Sequence, residues 1–183
     1  MARMVAASPA PEFREALLES YAIGERMNQL ILAYLDAKAW RAKPSGRGAR
    51  SVVAIFTHMH NIRLKWLRLS APHLKLPPAL DRSRCTKSRA SKALAQSAKL
   101  CGKMLAEALG GSGQVKRFHR DGWARPWPAG AAMFAYMIVH DAHHRGQVCM
   151  LAHQLGFPLP DKATYEMWSW ERLAKQCGFS GPH

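Results

Sequence analysis

Apolar residues recur at helical spacing in four long stretches of the chain, separated by segments that proline and glycine interrupt. Over residues 11–40, Phe13, Leu17, Met27, Leu30, Ile31 and Tyr34 mark the packing face of a first helix. The basic connector RAKPSGRGAR, 41–50, breaks it with Pro44, Gly46 and Gly48, and Ser51 is placed to cap a second helix. In SVVAIFTHMHNIRLKWLRL, Ile55, Phe56, Met59, Ile62 and Trp66 predict that second helix, ending near Ser70. Pro72, Pro77 and Pro78 come next, and so long a proline-bearing connection suits a crossover along the length of a bundle. A third helix, Lys87 to Leu109, turns Leu94, Ala98, Cys101, Leu105 and Ala108 inward until GGSG, 110–113, stops it. QVKRFHRDGWARPWP then predicts an irregular or short extended segment over one bundle end. The fourth helix, Met133 to Gly156, carries Met133, Met137, Gln147 and Leu151 on one face; Gly156 is a natural C′ residue, and Pro158 and Pro160 prevent continuation. A short last helix, Thr164 to Cys177, is expected to present Tyr165, Trp168 and Leu173 to the bundle. The reading is all-α: a four-helix bundle with a long crossover connection and a short C-terminal helix, one domain over residues 1–183.

Composition supports that reading. A chain of 183 residues suits one domain, burying roughly 70% of its unfolded surface without needing disulfides or a structural metal. Hydrophobic residues make up 48%, which indicates a folded globule, yet no apolar run reaches the roughly eighteen residues of a membrane span. The start, MARMVAASPAPEF, lacks the apolar core of a signal peptide. Cys85, Cys101, Cys149 and Cys177 lie far apart with no CxxC, which argues for a reducing cytoplasm and against a zinc knuckle or a disulfide framework.

Charge adds one question. With 27 Lys and Arg against 12 Asp and Glu, the formal net charge is +15, enough to attract polyanions without sequence preference. The basic residues are spread along the whole chain, as the arginine bias of a GC-rich bacterial proteome would spread them. Arg89, Lys92, Lys99 and Lys103 read as the wet face of the third helix. No nucleic-acid module stands out, so no specific nucleic-acid partner is expected.

The candidate chemistry lies in the histidines. His140 and His144 stand one turn apart on the inward face of the fourth helix, about 40° apart on the wheel. A neutral imidazole pair at this spacing is a clip for a divalent metal. A third candidate, His58, lies on or beside the apolar stripe of the second helix, and His60 competes with it. They are about 200° apart, so at most one of the two is expected to face the core. His143 is an alternative partner for His140 at (i, i+3). The bland reading is a set of core imidazoles with no metal.

The segments HMHNIRLKWL, HDAHHRGQ and LAHQLGFPLP, together with their spacing, resemble the DinB-like (DinB/YfiT) superfamily of metal-binding helical bundles, over about Ser51 to Pro160. The resemblance implies a divalent metal held by His58, eight residues before Trp66, and by His140 and His144, the latter directly before Arg145, Gly146 and Gln147. It also implies a homodimer, for which Phe13, Trp168 and Trp170 offer apolar surface, and it includes thiol transferases that act with a low-molecular-weight thiol.

Three imidazoles suit zinc, nickel, copper or iron, whereas magnesium and calcium want oxygen ligands. Three ligands leave a position open, the arrangement of a catalytic site. A thiol-dependent S-transferase acting on a small molecule is the leading expectation. The alternatives are a non-catalytic metal- or ligand-binding protein and, more remotely, a metal-dependent hydrolase with Asp141 as base in an HDxxH reading. Gln147 is a candidate for orienting a ligand ring or touching substrate, or is simply a solvated polar residue. Arg145 is expected in a structural salt bridge or helix-end contact, Cys149 faces away from His140, and the pocket is expected to be lined by Met, Trp and Tyr.

Overall fold

Helix α2, Val52–Ser70, is largely buried outside the stripe of Ala54, His58, Asn61, Lys65 and Arg68: Val53, Phe56, Met59, Leu64, Trp66 and Leu67 are interior, and so are His60 and Arg63. A helix buried so widely needs neighbours on most sides. Here α3, Lys87–Leu109, and α4, Ala131–Gln154, pack alongside it, and α1, Pro11–Tyr34, faces it across the core. The computed structural model describes residues 11–179 apart from residues 43, 47 and 112. The start of the chain, expected to carry no signal peptide, therefore lies outside the described residues through residue 10.

One interior cluster joins Ile31 and Leu35, Val52, Phe56 and Met59 of α2, Ala90 and Leu94 of α3, and Val148 and Ala152 of α4. A second joins Tyr21, Leu64, Trp66 and Leu67, Ala98, Cys101 and Leu105, and Met133 and Met137. Early α2 thus meets early α3 but late α1 and late α4. Helices α2 and α3 run the same way, and α1 and α4 run against them.

A parallel pair requires a crossover, and residues 71–86 supply it. The chain returns along α2, with His60 Nε2 3.1 Å from the Pro78 carbonyl and the Asn61 amide both donating to Leu80 O and accepting from Leu80 N. Thr86 then caps α3, its hydroxyl accepting from Arg89 N at 3.2 Å. Ser51 holds the N-cap position of α2 through its backbone, with no side-chain cap bond. On α3 the expected inward residues are buried except Ala108, which is half-buried, and Met104 joins them.

The first helix stops short of residue 40. The Asp36 carboxylate accepts from Lys38 N at 2.6 Å and Ala39 N donates to Asp36 O, a turn that competes with the helix. It lets buried Trp40 fold back and donate its indole N–H to Cys85 O at 3.0 Å. The segment after α3 is extended as expected: β1, Arg117–Phe118, pairs antiparallel with β2, Trp127–Pro128, and buries Phe118 over Trp66 at 6.0 Å between ring centroids.

The C-terminal helix is two helices, α5, Asp161–Trp168, and α6, Trp170–Gln176, broken at Ser169, whose hydroxyl donates to Tyr165 O at 2.8 Å. The break changes which side chains face inward. Leu173 and Ala174 pack on Ile23, Met27 and Leu30 of α1, whereas Tyr165 and Trp168 are 76% and 72% exposed, contrary to expectation. Among the described residues no helix is long and apolar enough to cross a membrane.

Candidate metal centre

His58 of α2 and His140 and His144 of α4 meet where the two helices pack against each other. Their ring centroids are 5.5 Å (His58–His140), 4.8 Å (His58–His144) and 4.5 Å (His140–His144) apart. One nitrogen from each lies within 4.8 Å of the other two, so this group could hold a metal ion. At most one of His58 and His60 is expected to face the core, and the fully buried one is His60, whereas His58 is half-buried. An angle of about 200° places two residues on opposite sides of a helix. His60 lies between α2, α3 and the crossover, with Nδ1 3.1 Å from Ser97 Oγ of α3, and is committed to structure.

Two of the three rings are oriented by neighbours on α4. The Nδ1 of His144 donates to Gln147 Oε1 at 2.7 Å, and the Nδ1 of His140 faces the Asp141 carboxylate at 3.4 Å. Each acceptor fixes the proton on Nδ1 and leaves the Nε2 lone pair for a ligated ion. Gln147 thus acts through its carbonyl oxygen and toward His144, where the wheel pointed to His140. Burial, and then the neighbouring His144 and Arg50, push His58 down to about 4. His144 is lowered as well, chiefly by burial, with the Gln147 bond working against it. These are neutral imidazoles at ordinary pH, the form a metal needs.

Beneath them lies an ion network. Arg63, fully buried, donates to Asp141 Oδ2 at 2.5 Å, to Glu25 Oε2 at 2.7 Å and to Leu94 O at 3.1 Å. Burial would raise the Asp141 carboxyl, but Arg63 and the His140 contact outweigh it and hold it near 2. A buried carboxylate bound to Arg63 is no general base, so the HDxxH role falls away. Arg63 could have been suspected: it sits four residues after Met59 and three before Trp66, a charge inside an apolar stripe. Arg145 contacts mid-α1 through Gly24 O and Asn28 Oδ1 and, among the described residues, makes no salt bridge. Cys149 faces Met27, Met167 and Trp168 on another side of α4. His143 is exposed and outside the converging group.

Aromatic rings wall one side: Trp66 stands 4.9 Å and Tyr136 6.4 Å from the His140 ring. Beside the group lies a groove of two lobes that meet at Arg50, and of the three converging histidines only His58 lines it. One, of about 460 Å³, is lined by His58, Thr57, Asn61, Lys65, Asp81 and Arg82 among others. The second, of about 680 Å³, is lined by Ile55, His143, Gln147, Met150 and Leu151 beside the loop at 44–50. The expected Met, Trp and Tyr lining is therefore corrected. Of these types only Met150 among the described residues reaches the groove, because the aromatic residues pack under the β-ribbon and the connectors supply the rim.

A family model described as the DinB family matches residues 11–172. The chain belongs to the DinB family. No curated protein and no solved structure gave a match. Three imidazole nitrogens, two of them on oriented rings, fit the divalent metal that DinB bundles bind in general.

Proposed function

We propose that this DinB protein holds one divalent transition metal, zinc, nickel or iron, on His58, His140 and His144 and acts as a thiol-dependent S-transferase on a small molecule. The observation that carries the reading is three converging imidazoles, one of which, His58, lines an open cleft. A pure binding site plugged by side chains would lack it. A metal on three neutral ligands acidifies a water or thiol that joins it.

The chain supplies the surroundings. Asp141 and Gln147 orient two of the ligand rings, and Trp66 and Tyr136 keep water from His140 on the bundle side. Its own thiols are poor nucleophiles: burial pushes all four cysteines up, Cys101 to about 12. The nucleophilic sulfur is therefore that of a low-molecular-weight thiol from solution. It gives its proton to solvent water, forms the new S–C bond, and the electrophile's leaving group departs with its electron pair. Four unpaired cysteines fit a reducing cytoplasm.

Metal analysis of the purified protein, combined with a panel of thiols and electrophiles, tests the proposal. Wild type should retain one metal and show a conjugation rate lost on chelation and restored by zinc, nickel or iron. His144→Ala should lose both with its helical spectrum intact. Stoichiometric metal in His58→Ala/His140→Ala would remove the ligand assignment. No rate above background from fully metallated protein would turn the reading to a non-catalytic binding role.

A further inference from the structure

The lobe of the groove that contains His58 is built by two connectors with no periodicity of their own. The segment between α1 and α2 contributes Arg50 and the crossover contributes Leu80, Asp81 and Arg82, while α2 contributes Thr57, His58, Asn61 and Lys65. Elsewhere in the fold basic side chains near acids are paired: Arg63 with Glu25 and Asp141, Lys65 with Asp121, Lys175 with Glu171. Arg50 and Arg82 have no hydrogen bond or ion pair among the described residues. The acid on this rim, Asp81, is taken up by its own turn, both carboxylate oxygens accepting from the Ser83 hydroxyl at 2.8 Å and one from Ser83 N at 2.9 Å, with Arg84 at 4.0 Å. Arg50 and Arg82 therefore come from separate connectors to line the lobe that His58 lines. Guanidinium groups present donors in a fork that matches an oxyanion.

We propose that Arg50 and Arg82 seat an oxyanion, so that the small molecule entering beside His58 is an anionic thiol bearing a carboxylate or phosphate group. The thiol part rests on the transferase reading; the anion seat stands on the rim itself. A volume of about 460 Å³ accommodates a molecule of that size. The neighbouring lobe, with Ile55, Met150 and Leu151, is left for a less polar second reactant.

Calorimetry on zinc-loaded protein tests this with 3-mercaptopropionate against 3-mercaptopropanol, and with the thiol-free probes propionate, inorganic phosphate and propanol. The expected result is about tenfold tighter binding of the anionic thiol at low salt. That preference should fall to near unity in Arg50→Ala/Arg82→Ala, with zinc content and melting unchanged, and should persist in Arg50→Lys/Arg82→Lys. Propionate against phosphate tells which oxyanion the seat favours. Equal affinity for the two thiols, or a preference untouched by the double alanine variant, overturns the seat. If neither thiol binds better than its thiol-free counterpart, the transferase reading falls, and propionate against propanol in the two proteins still decides the seat.

Discussion

The side chain that best separates a metal centre from a cluster of core histidines is Gln147, because it touches His144 and nothing in the core needs it. Removing the acceptor in Gln147→Leu frees the ring to choose the wrong tautomer. Metal affinity is expected to fall about 10- to 100-fold with the helical spectrum unchanged, as read by chelator competition. Asp141→Asn probes both levels at once, since it weakens the contact to His140 and takes one carboxylate from buried Arg63. Breaking a buried ion pair on one side costs about 3 kcal/mol, and urea unfolding should register it. The titrating groups add a pH signature. His58 is depressed from 6.5 to about 4, and His60 and His144 are lowered too, all mainly by burial. Between those values the unfolded chain binds protons that the folded chain refuses. Stability of the metal-stripped protein should therefore rise with pH through this window and be lost as pH falls through it. Asp141 extends the loss below its ordinary value toward 2. A urea midpoint unchanged between about pH 7 and about pH 5 would contradict this.

At the scale of elements, α2 spends one side on structure, through His60 and Ser97, and on another contributes His58 to the histidine group. The crossover makes this possible by covering His60 and Asn61 with Pro78 and Leu80 while bringing Arg82 to the groove. The broken C-terminal helix yields a paired prediction. Leu173 is fully buried against α1, and Leu173→Ala should cost about 2–5 kcal/mol. Trp168, 72% exposed, is a larger residue with less to lose, so Trp168→Ala should stay within about 0.5 kcal/mol in dilute monomer. Unfolding curves of the two variants that moved together would mean that the break at Ser169 is misplaced.

The whole molecule combines a high positive charge with an apolar surface that lacks it. Val139 and Ala142 are exposed on the outer face of α4, and Phe13, Trp168 and Trp170 are likewise exposed. Such a surface supports the homodimer as a proposal, through faces outside the histidine group. Light scattering at micromolar concentration should give twice the 20.4 kDa mass of the chain, and Trp168→Glu should shift it toward monomer. A monomer throughout would leave those side chains without a self-partner.

Much of the architecture was legible along the chain because it is local. Helical period, proline and glycine set α2, α3 and α4 to within two residues at each end, and one turn of helix is enough to stack His140 on His144. That His58 joins His140 and His144 also came within reach, through the motif resemblance. What the chain could not disclose depends on what surrounds each element. A wheel angle says which way His60 points but not that α3 waits there with Ser97. Trp40 folds back, and the last helix breaks, because Asp36 and Ser169 offer the backbone bonds that compete with the helix. Arg63 finds Glu25 and Asp141 only when three helices meet. The basic rim of Arg50 and Arg82 belongs to connectors whose course is set by packing, since a segment without periodicity carries no record of which face it will cover.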